Sequence, residues 1–286
     1  MPDYTHVLEI LEEIRQLAAT PEVDAKINAA QQELGLLDAE ASEPSKVIPP
    51  SGQAPGFEIF GGVETTRFPD CCAIGNADYY SCSGTLIAPT VVVTARHCDE
   101  GITRVFLKGG RISDLATGEE IPVVAEYAHP EVDLRALVLA YPSTVTPCHV
   151  AQGPEVYAPA RVVLAGFGTI DADGEVGYGT KREVEVELTS LDCSAPGDFL
   201  EYGCKEGIEL VAGHRGLGLD SCNGDSGGPL YIPAPYTEDS YYLLGATSRG
   251  IRKYGSKCGD GGVYVRVDKC LDWIRQVTGV DIEGPS

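Results

Sequence analysis

Hydrophobic positions follow two different periods along the chain. In residues 1–38, Val7, Ile10, Leu11, Ile14, Leu17 and Ala18 recur at spacings of three and four, while Glu9, Glu12, Glu13 and Arg15 fall mostly on the other side. That is the apolar stripe of an amphipathic helix. The stripe ends near Thr20, where Thr20-Pro21 offers an N-cap and a first-turn proline, and Val23, Ile27, Ala30, Leu34 and Leu37 predict a second helix. From Ala39 to Glu58 the chain turns to Glu, Ser, Pro and Gly, too poor in apolar surface to hold a fixed structure, and reads as a linker. After Ile59 the period changes to short β-branched runs, among them Val91-Val92-Val93, Arg104-Val105-Phe106-Leu107, Ala136-Leu137-Val138-Leu139 and Arg161-Val162-Val163-Leu164. Gly, Pro and Asp punctuate these runs at intervals of roughly ten residues, the pattern of an all-β barrel or sandwich. Val267, Cys270, Leu271, Ile274 and Val277 return to helical spacing before Gly279, so a short carboxy-terminal helix is expected, with Trp273 and Ile274 on its core face. The expected organisation is a helical segment over 1–38, a linker over 39–58 and a β domain over 59–286.

Composition narrows the functional classes. With 286 residues, 43% of them hydrophobic, the chain can bury a sizeable core. Its 43 acidic residues outnumber 21 basic ones, and a net charge of −22 repels polyanions, so no nucleic-acid partner is expected. No apolar run reaches the roughly 18 to 20 residues of a bilayer span, so no membrane partner is expected either. The ten cysteines are spread out rather than gathered into paired C-x2-C spacings, which favours disulfides over zinc. His6, His129, His149 and His214 also lack metal-ligand spacing, so no metal site is expected. Disulfides suggest a secreted or periplasmic protein. The acidic first 25 residues, with Glu9, Glu12, Glu13 and Glu22, do not resemble a secretory signal, which leaves cytoplasmic residence open.

Three segments carry candidate chemistry. The first runs from Cys82-Ser83-Gly84-Thr85-Leu86 to Thr94-Ala95-Arg96-His97-Cys98, placing a histidine beside a cysteine. In the second, Val132-Asp133-Leu134-Arg135-Ala136-Leu137, an acid enters an apolar strand; Asp114 and Glu131 are nearby acids without that context. The third is Asp220-Ser221-Cys222-Asn223-Gly224-Asp225-Ser226-Gly227-Gly228-Pro229. Together they resemble the trypsin-like serine proteases over about residues 59 to 279, and the order His, Asp, Ser is the one that family uses. The resemblance implies two six-stranded antiparallel β-barrels with a carboxy-terminal helix, preceded here by a helical pro-segment. It makes His97 the general base, Asp133 its orienting acid and Ser226 the nucleophile. A serine hydroxyl attacks only if a neighbour takes its proton, and imidazole titrates near working pH. The amides of Gly224 and Ser226 would form an oxyanion hole, typically worth about 3 kcal/mol of barrier per donor. Acyl-enzyme hydrolysis of this kind needs no cofactor.

The same resemblance implies specificity and control. Asp220 would form the floor of a substrate pocket that takes Arg or Lys, with Ser221 beside it, Gly250 and Gly262 as open walls, and Ser248 supporting Asp133. Arg249 stands where the family has an aromatic residue, and with Arg252 and Lys253 it suggests a basic rim and a preference for acidic residues upstream of the cut. Arg96 replaces a small residue before His97, Phe167 replaces the tryptophan of a Gly-Trp-Gly motif, and the short stretch between His97 and Asp133 gives no ground for a calcium loop. Ile59-Phe60-Gly61-Gly62 resembles the start of the mature enzyme. Cleavage at Glu58-Ile59 would free an ammonium group to pair with Asp225, and because the cut follows Glu58, an activating protease of different specificity is expected. The resemblance pairs Cys82 with Cys98, Cys193 with Cys204 and Cys222 with Cys258, and suggests Cys148 with Cys270. The adjacent Cys71 and Cys72 are hard to bridge, so these last four cysteines leave three connectivities open. The expected protein is a monomeric endopeptidase acting on proteins or peptides. The alternatives are a catalytically silent scaffold, or a protease docked through residues 1–38 as an adaptor.

Overall fold

The β-branched runs become strands because their side chains can be buried on one or both faces of a pleated sheet. A computed structural model of the protein describes residues 62–98, 101–169, 176–217, 222–235, 237, 239–251 and 258–282. The expected helices of 1–38, the linker of 39–58, Ile59, Asp220, Ser221, Arg252 and Lys253 lie outside the described residues. The first barrel holds β2 (Cys71–Gly75), β3 (Tyr80–Ala88), β4 (Val91–Thr94), β5 (Arg104–Leu107), β6 (Glu119–Ala128) and β7 (Arg135–Leu139), after a short β1 (Val63–Glu64). It closes in the order β2-β3-β4-β7-β6-β5. The second holds β8 (Arg161–Gly166), β9 (Arg182–Ser190), β10 (Glu209–Ala212), β11 (Pro229–Pro233), β12 (Tyr241–Gly250) and β13 (Gly262–Arg266). Its order is β9-β10-β13-β12-β11-β8, closed by antiparallel pairing of β8 with β9, and β1 adds to β9. Closure leaves neither barrel with an open edge.

The burial patterns follow the sequence. In β4 the run Val91-Val92-Val93-Thr94 is buried throughout, whereas β9 alternates, with Val184 and Val186 inside and Glu185 and Glu187 outside. Apolar side chains fill each barrel: Ile74, Leu86, Val92, Val105 and Leu137 in the first, and Val162, Leu164, Val186, Leu210 and Leu230 in the second. A third cluster joins them, in which Val91, Val93 and Leu134 of the first barrel meet Leu243, Ala246 and Val265 of the second. Val267–Cys270 forms a 3-10 turn leading into the helix Leu271–Thr278, and Val267, Cys270, Leu271 and Ile274 seal this seam. The helix ends at Gly279, whose φ of 68° suits a residue without a Cβ. Both expected residues lie on the core face: Ile274 is fully buried in the seam, and Trp273, half-buried, packs against it and meets His129 edge-on at 4.7 Å. A second helix, Asp198–Tyr202, is capped at both ends by glycines and was not evident in the periodicity.

Three disulfides form as the resemblance implied: Cys82–Cys98, Cys193–Cys204 and Cys222–Cys258. Cys71, Cys72, Cys148 and Cys270 remain thiols, so the suggested Cys148–Cys270 bridge does not form. Cys270 packs in the seam beneath the final helix, where burial pushes its pKa up to about 12. The Cys148 thiol instead lies 3.6 Å from the His149 carbonyl and 3.9 Å from that of Tyr241.

A buried polar junction also joins the barrels. Tyr231 on β11 donates to Asp70, which precedes β2, at 2.5 Å, and its ring stacks on Phe68 at 4.3 Å. Lys181, fully buried, donates to the Phe68 carbonyl at 2.9 Å. Burial pushes the Asp70 carboxyl up and the Lys181 ammonium down, the directions expected when charge leaves water. Phe68 itself adopts a positive φ of 54°, a conformation that must be held by its surroundings. Replacing Tyr231 with Phe keeps the stacked ring and removes the donor to Asp70. The variant is expected to lose about 1 to 3 kcal/mol of stability in urea unfolding while retaining the native fold by circular dichroism.

Candidate active site

His97 sits in the turn that follows β4. The Cys98 amide donates to the Ala95 carbonyl at 3.3 Å, and the Cys82–Cys98 disulfide pins the turn to β3. Arg96 donates to the carbonyls of His129 and Pro130 at 3.2 and 3.1 Å. It therefore ties the histidine turn to the loop that carries Asp133. In that loop Val132 and Leu134 are both buried, and a short Leu134-to-Val132 backbone bond of 2.9 Å tightens the turn around Asp133. Between two residues pointing into the core, Asp133 turns its carboxylate toward His97.

The contacts form one chain. Asp133 Oδ1 accepts the His97 backbone N–H at 2.9 Å, while its Oδ2 lies 2.7 Å from His97 Nδ1. The other ring nitrogen, Nε2, is 2.8 Å from Ser226 Oγ. From the second barrel, Ser248 on β12 donates to Asp133 Oδ2 at 2.7 Å. Burial alone would push the Asp133 carboxyl up, but the bonds from His97 and Ser248 outweigh it and hold the group below its ordinary value. Asp133 is therefore an anion at neutral pH. An anion at Nδ1 favours the tautomer with the proton on that nitrogen, leaving Nε2 free to accept from Ser226.

Ser226 is held by bonds from both barrels. Ser83 on β3 donates its amide to the Ser226 carbonyl and its hydroxyl to the Gly224 carbonyl, both at 2.9 Å. The Phe167 amide donates to the same Ser83 hydroxyl at 3.0 Å. Behind the serine, Gly227 donates to the Thr247 carbonyl at 2.8 Å and accepts no side chain of its own: its φ is +76°, and a Cβ there would strike Ala95 and Thr94. Gly224 has a φ of +91°, and a Cβ on it would strike the ring of Tyr178. Among the described residues, no hydrogen bond engages the amides of Gly224 and Ser226, the pair expected to face an oxyanion.

Asp225 lies beneath this turn, 2% exposed. Its two oxygens accept the amides of Gly168 at 2.8 Å and Cys222 at 2.9 Å. Burial pushes its pKa up to about 6 despite these bonds. Gly166 and Gly168, on either side of Phe167, give the carboxylate its room, since a Cβ on either would collide with it. The expected pocket walls Gly250 and Gly262 are register partners across β12 and β13.

Beside His97 opens a cleft of about 340 Å³, bordered by Arg96, Glu131, Lys205, Glu209 and Arg249. Arg249 does not simply face water. Its two terminal nitrogens meet the two oxygens of Glu209 at 2.9 and 2.8 Å, and it also donates to the Gly203 carbonyl at 2.7 Å and to Ser248 Oγ at 3.2 Å. Glu209 lies outside the three candidate segments, and Ser83 lies inside the first without a role assigned to it. Ser83 was visible only as a hydroxyl within an apolar strand, and Glu209 carried no local signal.

The trypsin family model matches residues 59–274. Human serine protease 56 is 33% identical over 214 residues, and the mouse protein of the same name is 32% identical over 213; each match covers 68% of this chain and 34% of the relative. The chain thus spans about a third of the length of these curated relatives. The solved structure of mouse neuropsin, described as a serine protease expressed in the limbic system of the brain, covers 76% of this chain and 98% of its own at 24% identity, with a TM-score of 0.61. That likeness speaks for the double-barrel fold, and the family model for descent. The chain belongs to the trypsin family of serine proteases.

Proposed function

We propose that the protein is a serine endopeptidase that cleaves after Arg or Lys and is made as a zymogen. The observation that carries this reading is the unbroken hydrogen-bonded chain from Ser248 through Asp133 and His97 to Ser226. Ser226 Oγ attacks the scissile carbonyl carbon while its proton passes to His97 Nε2, giving a tetrahedral oxyanion held by the amides of Gly224 and Ser226. The carbon–nitrogen bond then breaks, and the departing amine takes the proton from His97. Water, deprotonated by His97, attacks the resulting ester, and the acid product leaves with Ser226 restored. Asp133 stays ionised throughout and stabilises the imidazolium. Asp220 would supply the charge at the pocket floor, with Ser221 beside it and the facing glycines 250 and 262 leaving space for a long basic side chain.

Activation centres on Asp225. In the uncut chain its carboxylate has only amide donors in the described region and a pKa raised to about 6. Cleavage between Glu58 and Ile59 would supply a buried ammonium partner, and the pair would fix the turn 222–226 in its working shape. A cut after Glu58 is not one that an Arg- or Lys-directed enzyme makes, so a second protease performs it. Three disulfides suit an oxidising, extracytoplasmic compartment.

Two tests follow from this reading. Hydrolysis of Arg, Lys and Phe anilides is compared for protein with a free Ile59 terminus, the uncut chain and Ser226→Ala. Arg and Lys turnover confined to the cut form is expected, with Ser226→Ala slower by more than about 10⁴-fold; equal rates for the uncut chain overturn the activation scheme, and a Phe preference overturns the role of Asp220. The second test uses pH. A carboxyl whose folded pKa is raised stabilises the fold fully below its unfolded value near 4 and loses that contribution as pH rises through about 6. Uncut Ser226→Ala protein is therefore expected to lose stability between pH 4 and 6, by an amount of the order of 3 kcal/mol from this group. In the cut form the ammonium keeps Asp225 ionised and this loss disappears; parallel melting curves for the two forms would refute the ion pair. The expected taste for acidic residues upstream of the cut loses one of its supports, because Arg249 is neutralised by Glu209. It rests on Arg252 and Lys253, and a peptide library without acidic bias removes it.

A further inference from the structure

We propose that Arg249, clamped by Glu209, is a positioning residue that orients the Ser248 hydroxyl toward Asp133 and thereby sets the basicity of His97. The inference rests on the reading of His97, Asp133 and Ser226 given above and adds two residues to it.

The argument begins with what a hydroxyl can do. Ser248 Oγ has one proton and two acceptor sites. Left alone beside a carboxylate and a solvent cleft, it could rotate to donate to water or to a carbonyl. Arg249 Nη1 donates into one acceptor site at 3.2 Å, and a guanidinium never accepts, so the hydroxyl proton is directed away from it. The remaining partner is Asp133 Oδ2 at 2.7 Å. A charged donor on the serine oxygen also polarises its O–H and strengthens the bond to the carboxylate.

The guanidinium is itself held still. Its paired bonds to the two oxygens of Glu209, at 2.9 and 2.8 Å, are the fork geometry that fixes a guanidinium in plane, and the Gly203 carbonyl takes a third direction at 2.7 Å. Glu209 begins β10 and its side chain is 4% exposed; its Oε2 also accepts the Lys205 amide at 2.8 Å, so the carboxylate meets protein donors rather than water. Arg249 follows Ser248 one residue before the end of β12, and Gly203 closes the helix Asp198–Tyr202. Three separate segments of the second barrel thus converge on one hydroxyl of the site.

The charge balance has a sign. Glu209 offsets the Arg249 cation, so Asp133 keeps most of its charge for the imidazolium. Among the described residues, the other charged or titratable groups near the His97–Asp133 pair are Arg96, Glu131 and Lys205 on the cleft, His129 on the adjoining turn, and Asp225 beneath Ser226. None of these bonds to Ser248. Removing Arg249 takes a cation away and frees the Ser248 hydroxyl from Asp133, and both changes raise the affinity of His97 for a proton. Removing the Glu209 charge leaves the cation uncompensated and lowers it.

The test reads the His97 titration by NMR of its ring protons in the full-length chain, which requires no turnover. Arg249→Gln is expected to raise the His97 pKa by roughly half a unit and Glu209→Gln to lower it by a similar amount. In the active form, Arg249→Gln is also expected to lower kcat several-fold on an anilide carrying a single amino acid, with KM little changed, and Arg249→Lys to restore the pKa but only part of kcat. If both pKa values stay at the wild-type value, or move in the same direction, the proposal is overturned. It is equally overturned if the loss appears only in KM and only for peptides extending upstream of the cut, which would make Arg249 a wall of the substrate cleft. Arg249→Gln strands a buried carboxylate and can cost the fold; Glu209→Gln leaves only a partly solvated arginine and decides the sign alone. Wild-type protein that hydrolyses nothing would sink the peptidase reading, while the NMR shifts would still report on the clamp.

Discussion

Asp133 is the point at which the two barrels have to agree. Its carboxylate accepts the backbone and the ring of His97 from the first barrel and the hydroxyl of Ser248 from the second. A carboxylate left partly out of water without such donors would take up a proton near neutral pH, and the imidazole would then lose both its orientation and the anion that stabilises its charged form. The requirement reaches outward. For His97 and Ser248 to meet one carboxylate, the barrels must be fixed to a few tenths of an ångström, which explains why the seam between them is filled with Val91, Val93, Leu243, Val265 and Ile274 rather than left to polar contacts.

Ser226 satisfies the same constraint from the other direction. Its turn grows from the second barrel, yet Ser83 of the first barrel binds it through both amide and hydroxyl. Replacing that hydroxyl by hydrogen would leave the Gly224 carbonyl and the Phe167 amide without their shared partner. Asp225 is the residue on which the proposed activation would act. A carboxylate this deeply buried, with two amides as its described donors and a pKa near 6, is incompletely compensated, and an ammonium at the same place would complete it. Under the activation scheme proposed above, stability and control of the site would share one residue, adjacent to the nucleophile.

Much of this was legible because the determinants are local. The strands showed as β-branched runs, and Arg104–Leu107 emerged with the limits read from sequence. The final helix showed as a stripe ending at a glycine. His97, Asp133 and Ser226 were named through the resemblance of their three segments to the trypsin-like family, and the fold brings the three side chains into hydrogen-bonding distance. Other features depend on distances that no local pattern encodes. β6 spans Glu119–Ala128, where three glutamates and a proline interrupt Ile121, Val123, Val124 and Tyr127, so pairing with β5 and β7 extends a strand that its own residues favour only in part. The Cys148–Cys270 bridge was suggested by resemblance, and fails because the two thiols settle in different surroundings. Glu209 and Arg249 are 40 residues apart, and only the pairing of β10 and β12 through β13 brings them together.

That last pair changes what a basic residue beside the site means. Read in sequence, Arg249 is a charge offered to substrate; in the fold its two terminal nitrogens make four bonds, two to Glu209 and one each to Gly203 and Ser248. A guanidinium paired in this way has a weakened field left to recruit an acidic peptide, because the neighbouring carboxylate offsets most of its charge at a distance. It does retain shape: a flat, rigid edge on the cleft where a hydrophobic residue would otherwise offer an apolar face. The same saturation makes it a good support. A residue that must hold a hydroxyl in one orientation through many turnovers should not exchange partners with each substrate, and a buried, doubly bonded ion pair meets that requirement better than either a free arginine or an aromatic ring.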